Sequence, residues 1–254
     1  MKNLKFVSIL IIMMITGGIA LIAQNSSAKP TQAQQDAWKK AEEERLRNDW
    51  PNLARFHDDN IKIGFPAANE KRIVFMGNSI TEGWSNLHPD FFAGKPYVNR
   101  GISGQTTPQM LVRFRTDVIN LKPAVVVILA GINDIAGNTG PSTLEMIEDN
   151  LASMAELAKA HGITVVLSSV LPAFDFPWRP GMQPAEKVVQ LNGWIKKYAE
   201  TNGCIYLDYF TPMSDERHGL KTELTSDGVH PNLAGYNIME PLVESAIMKA
   251  LNVK

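Results

Sequence analysis

Near the middle of the chain, the run Ala124-Val-Val-Val-Ile-Leu-Ala130 contains no polar side chain. A strand points successive side chains to opposite faces, so a run without alternation has to be covered on both. Strands of that kind belong to parallel sheets sandwiched between helices. Other short β-rich runs occupy residues 72–76, 163–170 and 204–208, with a very short one at 97–99. Helical patterns lie between them. Thr107-Pro108 reads as a helix start, with Met110, Leu111, Phe114 and Val118 following on one face. Residues 142–161 carry Leu144, Ile147, Leu151, Met154 and Leu157 at helical spacing, closed by Gly162, and residues 232–251 read as a terminal helix. The expected architecture is α/β, doubly wound, with a parallel sheet of about five strands.

The ends divide the chain further. Lys2 and Lys5 precede a largely apolar stretch over residues 6–23, and small residues follow. That layout is a secretory leader, cleaved near Ala23 or Ala28. A run of this length also suffices for a retained membrane anchor. Gly17, Gly18 and the polar residues from Gln24 onward favour cleavage, and an exported product with no stable membrane partner. We expect a leader over 1–28, an N-terminal helical extension over 29–66, and one sheet domain over 67–254. The formal net charge of −1 gives no reason to expect a nucleic-acid partner. The single cysteine, Cys204, excludes an internal disulfide and lies in an apolar run that suits a buried thiol.

In an open parallel sheet, ligands bind outside the carboxyl ends of the strands. Here the first strand delivers Gly77-Asn-Ser79, the second Asn99-Arg-Gly101-Ile-Ser-Gly104, and the central one Gly131-Ile-Asn133-Asp134. Asp227-Gly-Val-His230 follows just before the last helix. These parts suit acyl transfer. A serine hydroxyl needs an adjacent base to become a nucleophile, and His230 can serve. Asp227, three residues earlier, can fix the imidazole tautomer; Asp175 and Asp208 are the rival carboxylates. The oxyanion has three candidate donors: the N–H of Ser79, the N–H of Gly101, and the side-chain amide of Asn133. Each motif alone has an ordinary explanation, since a serine after a strand is commonly a helix cap. Their meeting at one sheet edge is what points to catalysis.

At this point the sequence resembles the SGNH hydrolases, the GDSL-type esterases and lipases. The name-giving residues match Ser79, Gly101, Asn133 and His230 in order, and the resemblance implies Asp227 as the triad acid. It also implies a flavodoxin-like three-layer α/β/α sandwich and no metal or organic cofactor. The other histidines, His57, His88, His161 and His218, show no metal-ligand spacing. One position departs from the pattern: the common Gly-Asp-Ser is Gly-Asn78-Ser here.

Substrate choice must come from loops. Trp84, Phe174, Phe176, Trp178 and Arg179 are the candidates for lining an acyl or alcohol pocket, with core cover as the alternative for half of them. No long apolar lid segment is visible, which disfavours a triglyceride lipase. The expected activity is hydrolysis of short-chain, chiefly acetyl, esters on a small molecule or glycan. A lysophospholipase or thioesterase is the enzymatic alternative. A silent glycan-binding relative is the non-enzymatic one. Oligomeric state is not legible.

Overall fold

The unbroken apolar run becomes the middle of the sheet. In the computed structural model, which describes residues 31–253, five strands are all parallel. They are β1 (Ile73–Gly77), β2 (Tyr97–Gly101), β3 (Val125–Leu129), β4 (Thr164–Ser168) and β5 (Ile205–Leu207), in the order β2-β1-β3-β4-β5. The leader expected over 1–28 lies outside the described residues. Every residue of β1 and β3 is buried.

Nine α-helices are present among the described residues: α1 (Gln32–Asn48), α2 (His57–Ile63), α3 (Ser79–Leu87), α4 (Thr107–Asp117), α5 (Ile132–Ile135), α6 (Leu144–Ala160), α7 (Ala185–Thr201), α8 (Phe210–Met213) and α9 (Leu233–Leu251). Strand alternation sorts the core into two layers. Val74, Met76, Val126, Ile128, Val165 and Leu167 pack with Met110 and Phe114 of α4, Leu151 of α6 and Leu191 of α7. Ile73, Phe75, Val125, Val127 and Leu129 face the other way, onto Ile80 and Trp84 of α3 and Tyr236, Met239 and Val243 of α9. The result is a three-layer α/β/α sandwich.

The helix starts follow the sequence signals. Thr106 and Gln109 form a capping box around Pro108 at the start of α4, an arrangement whose loss costs about 1 kcal/mol. Thr143 caps α6 by accepting from the Met146 N–H.

α1 belongs to a separate unit that ends at Asn48, and the sheet unit runs from Asp49 to Lys254. Residues 49–66, expected as part of an N-terminal extension, therefore fold with the sheet. They are held by hydrogen bonds that sequence periodicity does not reveal. Gln105 and Gln109 donate to the carbonyls of Pro51 and Trp50 at 2.7 and 2.8 Å. Asn60 accepts both Nε and Nη2 of Arg100.

Arg113, on α4, is 0% exposed and ties these parts to the carboxyl edge of the sheet. Its Nη2 donates to the carbonyls of Gly77 and Arg100 at 3.0 and 2.9 Å, the ends of β1 and β2. Nε donates to Gln105 Oε1, and Nη1 meets Asp117 at 3.0 Å. Burial pushes the guanidinium down to about 10, against the pull of Asp117, so it stays charged at neutral pH.

Replacing Arg113 by Met leaves a buried carboxylate without its counterion. It should destabilise the fold by about 3–5 kcal/mol in urea unfolding at neutral pH. A loss below ~1 kcal/mol would show that the fork is not structural.

Candidate active site

The order of the strands changes direction between β1 and β3, the switch point where open α/β sheets bind ligands. Ser79 follows β1 and Asn133 follows β3. After Gly77 the chain turns straight into α3, capped by Asn78, whose Oδ1 accepts from the Ile80 N–H at 3.1 Å. Ser79 is the first helical residue and half-buried. Its N–H is thus one of the donors that a helix start leaves unpaired, at the positive end of the dipole. Asn78 Nδ2 is buried without a partner among the described residues.

His230 reaches this serine from the far end of the chain. Ser79 Oγ lies 2.9 Å from His230 Nε2, and His230 Nδ1 lies 2.7 Å from Asp227 Oδ2. The second Asp227 oxygen accepts the N–H groups of His230 and Val229 at 2.7 and 2.9 Å. Burial works to raise the Asp227 carboxyl, but the His230 N–H, the imidazole and the Val229 N–H prevail and hold it below the usual carboxylate range. An ionised Asp227 places the imidazole proton on Nδ1, which leaves Nε2 free to accept from the serine hydroxyl. The rival carboxylates are engaged elsewhere. Asp175 accepts from Gly181 and Gln183, and Asp208 from Thr211.

Thr225 closes the turn that carries Asp227 and His230. Its hydroxyl donates to the His230 carbonyl at 2.7 Å and accepts from the N–H groups of Asp227 and Gly228. A threonine two residues before an Asp-Gly pair is a recognisable turn signal, and the sequence reading passed over it.

The oxyanion candidates fare differently. Asn133 is buried and donates one Nδ2 hydrogen to the Gln105 carbonyl at 3.0 Å, leaving the other. Gly101 does not fit its expected role. Its N–H donates to Asn99 Oδ1 at 2.8 Å, and a Cβ there would lie 2.1 Å from the Glu82 nitrogen. Glycine is required at 101 so that β2 can touch α3, not so that a substrate can approach. Three residues on, Gly104 has a φ of +75° and open space where a Cβ would stand. No acceptor for its N–H is present among the described residues. The adjoining Gln105 carbonyl is the one bound to Asn133, so Gly104 stands beside that amide.

The aromatic candidates also separate. Trp84 is 2% exposed, stacked between Phe91 and Tyr236 with ring centres 4.8 and 5.3 Å away, so it is core and lines no pocket. Phe176 is equally buried and supports Trp178 by stacking at 5.2 Å. Trp178 is 43% exposed, and its ring centre lies 6.0 Å from that of His230. Phe174 is exposed beneath the Arg217 guanidinium. Arg179, expected to line the pocket, spends Nη1 on the Ala136 and Gly137 carbonyls and pins the loop instead. Next to Asn133, Asp134 accepts from the Thr107 N–H and hydroxyl. Burial pushes its carboxyl up to about 6 despite those donors.

Residues 75–238 match the model of the GDSL-like Lipase/Acylhydrolase family. Esterase TesA of Pseudomonas aeruginosa is 30% identical over 163 residues, covering 63% of this chain and 75% of that protein. The structure of a GDSL-like lipase from Bacteroides thetaiotaomicron is 51% identical, with a TM-score of 0.78 over 80% of this chain and 100% of that one. An acetylxylan esterase from Geobacillus stearothermophilus shares the fold at 22% identity, with a TM-score of 0.54 over 74% of this chain and 97% of that one.

Asp227→Asn keeps the size of the side chain but favours the wrong imidazole tautomer. Turnover of an activated ester should fall by about 10³–10⁴-fold. Because Asp227 sits on an exposed turn, the melting temperature should move by no more than a few degrees. Near-normal turnover in this variant would remove Asp227 from the relay.

Proposed function

The chain belongs to the GDSL-like lipase/acylhydrolase family and is a carboxylic ester hydrolase, and from that premise we propose that it is an exported serine esterase that removes short acyl groups, chiefly acetyl, from carbohydrate esters. The supporting observation is the unbroken relay from Ser79 through His230 to Asp227.

In this reading, His230 Nε2 takes the Ser79 proton as Oγ attacks the ester carbonyl. Asp227 offsets the imidazolium that forms. The tetrahedral intermediate collapses when His230 returns that proton to the departing alkoxide, which leaves an acyl-Ser79. Water repeats the sequence, giving up a proton to His230 and releasing the carboxylic acid. The oxyanion is received by the Ser79 N–H, the Gly104 N–H and the free hydrogen of Asn133 Nδ2. Each such donor is worth about 10²–10³ in turnover.

The loops at the catalytic edge support small acyl groups. Their only α-helices among the described residues, α5 and α8, have four residues each, and neither is long enough to form a lid. Trp178 beside His230 offers a half-exposed ring on which a sugar can stack. Export rests on the leader pattern of residues 1–28.

Ser79→Ala should reduce p-nitrophenyl acetate hydrolysis to the buffer rate. Across a series of acyl lengths, wild-type kcat/KM should peak at acetyl and fall toward octanoyl. A rise toward long chains would favour lysophospholipase or thioesterase activity over the short-chain reading, and undiminished hydrolysis by Ser79→Ala would refute the triad.

A further inference from the structure

Gly104 has no side chain to hold it, so its neighbours must set its direction. Ser103 is fastened to the nucleophile helix. Its N–H donates to Glu82 Oε2 at 2.8 Å, and its hydroxyl donates to the same oxygen. Glu82 stands one turn beyond Ser79 on α3, and its other oxygen, Oε1, meets Arg55 Nη2 at 3.2 Å. Gln105, on the other side, is fastened to Pro51, Arg113 and Asn133. The Gly104 carbonyl itself accepts from Asn138 at 3.2 Å. Arg55 and Pro51 belong to the segment before the sheet, ahead of the residues 75–238 that match the family model.

From this geometry we infer that Glu82, braced by Arg55, is a positioning residue that aims the Gly104 N–H at the carbonyl oxygen of an ester bound over Ser79. The inference rests on the esterase reading above. Four features carry it. Two donors from one residue converge on a single carboxylate oxygen, which fixes Ser103 in both direction and rotation. Hydrogen bonds to an ionised acceptor are shorter and stronger than neutral ones. The second oxygen meets the Arg55 guanidinium, which opposes rotation of the carboxylate toward solvent. Finally, Glu82 and Ser79 share one helix turn, so oxyanion loop and nucleophile move as a unit. An oxyanion donor stabilises the transition state only when it is already in place, since misplacement by about 1 Å costs roughly 10²-fold.

The test uses the full-length protein, p-nitrophenyl acetate and phenylboronic acid, which forms a tetrahedral adduct on an active serine. Glu82→Ala should lower kcat/KM by about 10–100-fold. It should weaken the boronate by a similar factor and leave the order of preference among acyl lengths unchanged. Glu82→Gln should recover part of both losses, because its amide oxygen can still accept from Ser103 while its NH2 group cannot pair with Arg55. Arg55→Met, at a half-exposed side chain, and Ser103→Ala, which loses only the hydroxyl, should each show a smaller loss of the same kind. These two milder variants decide the matter should Glu82→Ala fail to fold. Full kcat/KM in Arg55→Met and Ser103→Ala, or a loss of rate with unchanged boronate affinity, overturns the assignment. Activity surviving in Ser79→Ala would overturn the serine-triad reading instead, so the two failures are distinguishable.

Discussion

A single buried guanidinium, that of Arg113, holds the catalytic edge together. Taking a charge out of water costs several kcal/mol, recovered only where geometry is good and the donors find partners. Arg113 meets that condition with four acceptors: the ends of β1 and β2, Gln105 and Asp117. The carbonyl of Gly77 lies two residues before Ser79, and Gln105 follows Gly104. One planar group therefore fixes the distance between the strand that presents Ser79 and the loop that flanks it. A lysine, with its compact ammonium group, could not span these positions.

The rest of the site follows from placing a helix start on a strand end. Asn78 takes the capping role, which leaves the Ser79 side chain free of it and its N–H unpaired. The turn from Thr225 to His230 needs no long-range support for its own shape, because Thr225 and Asp227 satisfy its backbone. The site is thus assembled from two locally determined pieces, the start of α3 and the turn carrying Asp227 and His230, which meet at the switch point of the sheet. The brace from Arg55 through Glu82 adds a third piece, from a part of the chain ahead of the family-matched region.

Much of this was legible beforehand because it depends on local pattern. An apolar run without alternation identified β3, a short β-rich run identified β1, and the proline at residue 108 marked the start of α4. The spacing Asp227-Xaa-Xaa-His230 matched a turn that satisfies itself. What was not legible depends on long-range partners. Trp84 looked like a pocket aromatic, but the core stack of Phe91 and Tyr236 claims it. Arg179 looked like a pocket residue, but the carbonyls that bind it lie 42 and 43 residues away. Gly101 was read as an oxyanion donor, whereas its N–H pairs with Asn99 and its lack of a side chain serves the close contact with α3. The boundary near residue 66 failed for the same reason. Glutamine and asparagine side chains join residues 49–60 to the sheet domain, and hydrophobic periodicity does not register them.

The central claim is that Ser79 carries the acyl group during turnover. Rapid acid quenching during p-nitrophenyl acetate hydrolysis, followed by peptide mass spectrometry, addresses it directly. The account predicts one acetyl group on the peptide containing Ser79, accumulating further when Asp227→Asn slows deacylation and absent in Ser79→Ala. Acetylation that persists in Ser79→Ala, or turnover with an unmodified Ser79 peptide at every quench time, would contradict it.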